Sequence, residues 1–166
     1  QLFGPSCVKY SILKADEAYK NVTKEDVIES LKVSDVMQRK FVSIPESTPL
    51  SNVIRIIKNE EAHYLPVVNT QNQNIGSVSL NNIKDALLEE ALNNLLVAGD
   101  IAIFDRWVIA EDRPLQEAIQ LFEERYLDYL PVVKSEGSKE VVGILEHQQL
   151  AGAINRELLA RQGFGE

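Results

Sequence analysis

The pentapeptide Tyr-Leu-Pro-Val-Val occurs twice, at Tyr64–Val68 and at Tyr129–Val133, inside a longer internal repeat. Ile44–Val68 aligns without a gap on Ile109–Val133, with 10 identical residues in 25. Two like units of about sixty residues follow, each reading as short strand, turn, amphipathic helix, strand, turn, strand and helix. A unit of that size buries too little apolar surface to stand alone, so the two are expected to form one packed body with pseudo-twofold symmetry.

With 166 residues and 45% hydrophobic side chains, the chain has material for a real core. No run approaches the roughly 18 consecutive apolar residues of a membrane span, and Gln1–Ser6 lacks the basic stretch and apolar core of a signal peptide, so the segment is expected to lie in water. Seventeen basic against 25 acidic side chains give a net charge of -8 without a basic block. Nucleic acid is therefore disfavoured as a partner and none is predicted, since a phosphate backbone needs a contiguous positive surface. The lone Cys7 can form neither an internal disulfide nor a thiolate cluster, which points to the reducing cytoplasm.

Residues 1–32 read as a connecting segment with a helix, opened by Thr23 and Asp26 and carrying Val27, Ile28 and Leu31. Ser34–Met37 reads as a short helical turn, and Phe41–Ile44 as a strand closed by Pro45. In the first unit, residues 33–98, Leu50, Val53, Ile54 and Ile57 share a helix face after Ser47, Thr48 and a first-turn Pro49. In the second, residues 99–160, Leu115, Ala118, Ile119 and Phe122 repeat this after Asp112 and Pro114, following a strand at Trp107–Ala110. The strands Leu65–Val68 and Leu130–Val133 are apolar without alternation, which predicts burial on both faces. Leu65, Val67, Leu130, Val132, Ile54 and Ile119 are thus the predicted core.

Each unit ends in a helix, through Ile83, Ala86, Leu87 and Ala91 in the first and Leu150, Ala153, Ile154 and Leu158 in the second, with residues 161–166 as a tail. The first is expected to continue through Leu92 and Leu95 and to turn at Gly99–Asp100. Its run Leu87, Leu88, Ala91, Leu92, Leu95 and Leu96 is apolar over more than one face, which predicts that it covers a second copy as well as its own sheet.

Enzyme chemistry finds no foothold, because HExxH, GxSxG, a cysteine pair and a phosphate-cradling glycine loop with its lysine are all absent. His63 and His147 stand at different places in their repeats, where the matching residues are Asp128 and Leu80, so no metal pair and no catalytic set is predicted. Gly76–Ser79 leads from a strand towards a helix, with Asn82 three residues beyond Ser79. Such groups can cap the helix, and the same groups can hydrogen-bond a ribose or a phosphate at its N-terminus. The second unit has Gly143, Glu146, His147 and Gln149 there, and Glu146 would repel a phosphate. The two clefts should differ.

The repeat resembles a tandem of CBS domains, the cystathionine-beta-synthase type of regulatory module. The resemblance rests on the helix openings PLSNVIRII and PLQEAIQLF, the paired YLPVV strands, and the strands IGSVSLNNI and VVGILEHQQL, and it spans about Val33 to Arg156. It implies an α/β (α+β) fold built as a CBS pair, with no catalytic role and no required cofactor. Within the family the chain is most similar to the cytosolic tail of chloride channels and chloride/proton antiporters, through the joint LLVAGDIAIF and the entry ESLKVSDVMQRKF. Cys7–Ala15 would then run in from a last membrane helix, and the partners would be an attached transmembrane ion-transport domain and a second copy in a homodimer. The family implies ATP, ADP or AMP as a regulatory ligand, held in the first unit by Val42, Ser43, Ile44, His63, Tyr64, Pro66, Ser79 and by Asn82 where an aspartate is usual. The second unit departs further, with Glu146 and Gln149 at the phosphate and ribose positions and Ile109 and Asp128–Pro131 as the wall. The alternatives are a structural dimerisation module with vestigial clefts, or a regulatory pair of another transporter or enzyme.

Overall fold

The computed structural model of the protein describes residues 22–88 and 95–163. Cys7, the start of the connecting segment, Ala91, Leu92 and the end of the tail lie outside the described residues. The first elements are α1 (Lys24–Ser30) and α2 (Val33–Val36). The first unit follows as β1 (Ile44–Pro45), α3 (Leu50–Glu60), β2 (Tyr64–Val68), β3 (Asn74–Ser79) and α4 (Leu80–Leu87). After α5 (Ala98–Ile101), the second unit repeats the order as β4 (Ile109–Ala110), α6 (Leu115–Arg125), β5 (Tyr129–Val133), β6 (Val141–Glu146) and α7 (His147–Arg161).

Each unit holds a three-stranded sheet, β1-β2-β3 or β4-β5-β6, whose first pair is parallel and second antiparallel. The continuous apolar strands lie at the sheet centres, where Leu65, Val67, Leu130 and Val132 have no solvent exposure. Ile54 and Ile119 are only half-buried. The deeply buried stripe of α3 runs through Leu50, Val53 and Ile57, which leaves Ile54 on its flank, beside Leu80 and Ile83 in an apolar groove between α3 and α4.

The strands β1 and β4 are shorter than the sequence predicts, because the chain ahead of each is drawn onto the other unit. Gln38 exchanges both backbone hydrogen bonds with Ile144 of β6, and Ile103 exchanges both with Ser77 of β3. Glycine makes each approach possible. A Cβ on Gly76, at φ +152°, would stand 2.5 Å from the Ile103 carbonyl oxygen, and one on Gly143 would stand 2.5 Å from Met37 Sδ.

The same arms close the helix starts. Pro49 and Pro114 occupy the cap positions rather than the first turn, and neither provides a side-chain cap, nor do Ser47, Thr48 or Asp112. Instead the Leu50 N–H donates to the Leu96 carbonyl at 3.0 Å, and the Leu115 N–H donates to that of Leu31 at 2.9 Å. Gly99 and Asp100 form no turn but sit inside α5, where the Asp100 carboxylate accepts the Val97 N–H at 3.0 Å. Asp35 does the same for Lys32 in α2 at 2.8 Å. Asp35 and Asp100 are related by the offset that relates Ile44 to Ile109, so the repeat reaches back into both arms.

Two cores result. One gathers Ile44, Leu50, Val53, Ile57, Leu65, Val67, Val78, Ile83 and Ala98. The other joins Val27 and Leu31 of the connecting segment, with Val33 and Met37 just after it, to residues of the second unit, from Ile109 to Ile154.

Candidate functional site

The first residues of the two repeated strands meet. The Tyr64 and Tyr129 rings stack with centroids 4.4 Å apart and planes 10° from parallel, and contact between equivalent residues puts this pair at the pseudo-twofold axis. Tyr129 is buried while Tyr64 is half-buried. Below them lies a polar chain. Asp105 accepts hydrogen bonds from Asn74 Nδ2 at 3.0 Å and from Ser77 Oγ at 2.7 Å. The single Ser77 proton goes to that carboxylate, so the Tyr129 hydroxyl, 3.2 Å away, donates to Ser77 Oγ. Burial raises the pKa of Asp105 above the ordinary carboxylate value, against the opposite pull of these two hydrogen bonds. Burial likewise pushes the Tyr129 hydroxyl up.

Two clefts open beside Tyr64. The first, of about 370 Å³, has Val42, His63 and Tyr64 on one side and Ile144, Glu146 and Gln149 on the other. The second, of about 340 Å³, sets Ser79 and Asn81 against Asp128 and Gln148, and shares His63, Tyr64 and Glu146 with the first. Each cleft therefore joins the wall of one unit to the strand-to-helix junction of the other. The residues singled out in the first unit are divided: Val42, His63 and Tyr64 face the first cleft, while Ser79 faces the second. Ser43 is exposed, Ile44 and Pro66 are buried in their own unit, and Asn82 lines neither cleft.

Ser79 and Asn82 form a reciprocal helix cap. The Ser79 N–H and hydroxyl both donate to Asn82 Oδ1 at 2.8 Å, and the Asn82 N–H donates back to Ser79 Oγ at 3.4 Å. At the equivalent junction of β6 and α7, Glu146 makes no side-chain cap. The Glu146 carboxylate instead crosses the first cleft to His63, with Nδ1 and Oε2 2.7 Å apart. Gln149 is met by Gln38, whose side-chain amide donates to its oxygen. His147 leans over the Phe122 ring, 5.3 Å between centroids. Among the described residues no group of three or more His, Cys, Asp or Glu side chains is arranged to hold a metal ion. Lys40, Gln38 and the partnership of Glu146 with the first unit's wall were not legible in the sequence, because only the crossing of the units brings them together.

Residues 33–89 and 98–156 both match the family model of the CBS domain. The chain belongs to the CBS-domain family. Solved structures share its architecture at low identity. CBSX2 in complex with AMP is 23% identical over 79% of this chain and 98% of that one, with a TM-score of 0.63. The CBS domain pair of protein MJ0100, in complex with 5′-methylthioadenosine and S-adenosyl-L-methionine, is 17% identical over 75% and 96%, with a TM-score of 0.65. The CBS domain of a CBS-domain-containing membrane protein from Sphaerobacter thermophilus is 16% identical over 84% and 96%, with a TM-score of 0.68. CBS domains are in general regulatory rather than catalytic modules. Among the described residues no helix of this pair is long and apolar enough to cross a membrane.

Proposed function

We propose that this CBS pair is the cytosolic, non-catalytic regulatory part of a chloride channel or chloride/proton antiporter, sensing an adenosine derivative between its two units. The observation that carries the sensing role is the 370 Å³ cleft, where the apolar Val42 and Ile144 and the Tyr64 ring meet the polar Glu146 and Gln149. That volume and mixture suit one small ligand. The AMP complex of CBSX2 and the adenosyl ligands of the MJ0100 pair support an adenine-containing occupant. Because the His63–Glu146 contact ties one unit to the other across this cleft, a ligand that breaks or completes it has different affinities for different arrangements of the pair, which is what coupling requires.

Attachment to an ion-transport domain rests on the similarity of Leu95–Phe104 and of Glu29–Phe41 to the tails of chloride channels, and the Sphaerobacter membrane protein supports a membrane context. Homodimerisation is supported by the exposure of Leu87 and Leu88 at the end of α4 and of Leu95. A second function, a purely structural dimerisation module, is favoured by the bonds that already occupy Ser79, Asn82, Glu146 and Gln149.

Thermal unfolding separates the two. Adenosine, AMP, ADP or ATP should raise the midpoint if the cleft is a sensor, and indifference to all four leaves the structural module. In the parent protein, anion flux through proteoliposomes should change with the ligand that gives the shift. Sedimentation should give a mass above the 18.6 kDa of one chain.

A further inference from the structure

Glu146 lies where the two clefts meet. Its carboxylate is 8% exposed and borders both clefts. His63 engages Oε2, whereas Oε1 has no hydrogen-bond donor among the described residues. A buried carboxylate oxygen without a donor is costly, so this one is placed to accept a hydrogen from a ligand.

The surrounding charges point the same way. In the first cleft one ammonium, Lys40, stands against the carboxylates of Glu60, Glu61 and Glu146. In the second, Asp128 and Glu146 are opposed by no lysine or arginine. Phosphate recognition relies on cationic side chains or on a bare helix N-terminus. Here the start of α7 is headed by Glu146, and that of α4 is already closed by the Ser79–Asn82 cap. The tyrosine at the axis responds to this field, since after burial the charges of Asp128 and Glu146 are what raise the pKa of Tyr64.

We infer that the clefts select an adenosine derivative without a 5′ phosphate, neutral or cationic at that end, with Glu146 Oε1 accepting a ribose hydroxyl and the carboxylate excluding phosphate. This rests on the sensing function proposed above and assigns Glu146 as its specificity-determining residue.

Titration calorimetry on the whole chain tests it, with adenosine, 5′-methylthioadenosine, S-adenosylmethionine, AMP, ATP and 2′,3′-dideoxyadenosine as probes. Adenosine should bind at least about tenfold more tightly than AMP, as a phosphate brought close to a buried carboxylate in a largely acidic cleft requires. Dideoxyadenosine should lose about tenfold against adenosine, the scale of one hydrogen bond to a charged group. In Glu146→Gln the preference for adenosine over AMP should disappear. AMP or ATP binding the wild type as tightly as adenosine would overturn this inference while leaving the sensing function standing. A preference for adenosine that survives in Glu146→Gln would remove Glu146 as its cause. Failure of every adenine-containing probe would remove the sensing function, and the inference with it.

Discussion

Asp105 shows how a single carboxyl beneath the tyrosine pair ties stability to pH. Its folded-state pKa lies above the ordinary value, first because of burial. The native carboxyl therefore keeps its proton where the unfolded chain has lost it, and the stability it contributes falls as pH rises from the ordinary carboxylate range through the raised value. Asp105→Asn removes that slope and retains an oxygen to accept from Asn74 and Ser77. Urea unfolding at about pH 4 and about pH 7 should show the variant gaining on the wild type at the higher pH. A variant that instead loses ground to the wild type at the higher pH would mean that the native carboxylate is favoured. Leu130, fully buried in β5, the middle strand of its sheet, tests the packing at the same scale: Leu130→Ala should cost about 2–5 kcal/mol in the same assay. A loss below about 1 kcal/mol would place Leu130 outside the core. This residue was legible in advance because an apolar run without alternation leaves no wet face. Asp105 was not, since nothing around it in sequence reveals that Ser77 and Asn74 are its neighbours.

Helix starts separate what local sequence encodes from what it does not. Thr23 with Asp26, and Ser79 with Asn82, cap their helices from within the same four residues, and both pairs are visible as spacing. The starts of α3 and α6 look equally well supplied, with Ser47, Thr48 and Pro49 at one and Asp112 and Pro114 at the other, yet the Leu50 and Leu115 N–H groups are satisfied by the carbonyls of Leu96 and Leu31 from distant chain. A cap that arrives through tertiary contact leaves no local trace. The site was only half legible for the same reason: its residue types were visible, but their division between two clefts depends on how the units cross. At this scale Ser79→Ala should cost about 1 kcal/mol in urea unfolding, the usual worth of a lost N-cap. Thr48→Ala should cost clearly less, because Thr48 contributes its carbonyl to Ala98 and no side-chain cap. Equal losses for the two would mean that the α3 start relies on its own hydroxyl after all.

For the whole molecule, the decisive fact is that packing does not follow the repeat. The first core draws on described residues between Val42 and Ala102, with its flanking contacts, whereas the second is assembled from residues 22–37 and from Ile109 onward. The first unit is thus inserted into the second, and the chain closes the second core only after returning from the first. Val27, Leu31, Val33 and Met37 carry that closure, all buried, with Val27 and Val33 fully so. Even at about 1.5 kcal/mol for each buried side chain, their loss removes about 6 kcal/mol, comparable with the whole stability of a small domain. A fragment of residues 105–163 should therefore lack a cooperative thermal transition by circular dichroism. Adding a peptide of residues 22–40 should restore it, since the peptide returns all four side chains and the Leu31 carbonyl that receives the Leu115 N–H. The same peptide with Val27 and Val33 changed to aspartate should not, because both positions are closed to water and would bury unpaired charge. A fragment that melts sharply without the peptide, or that is rescued equally by the aspartate version, would show that the opening segment is an accessory to the second core and not a part of it.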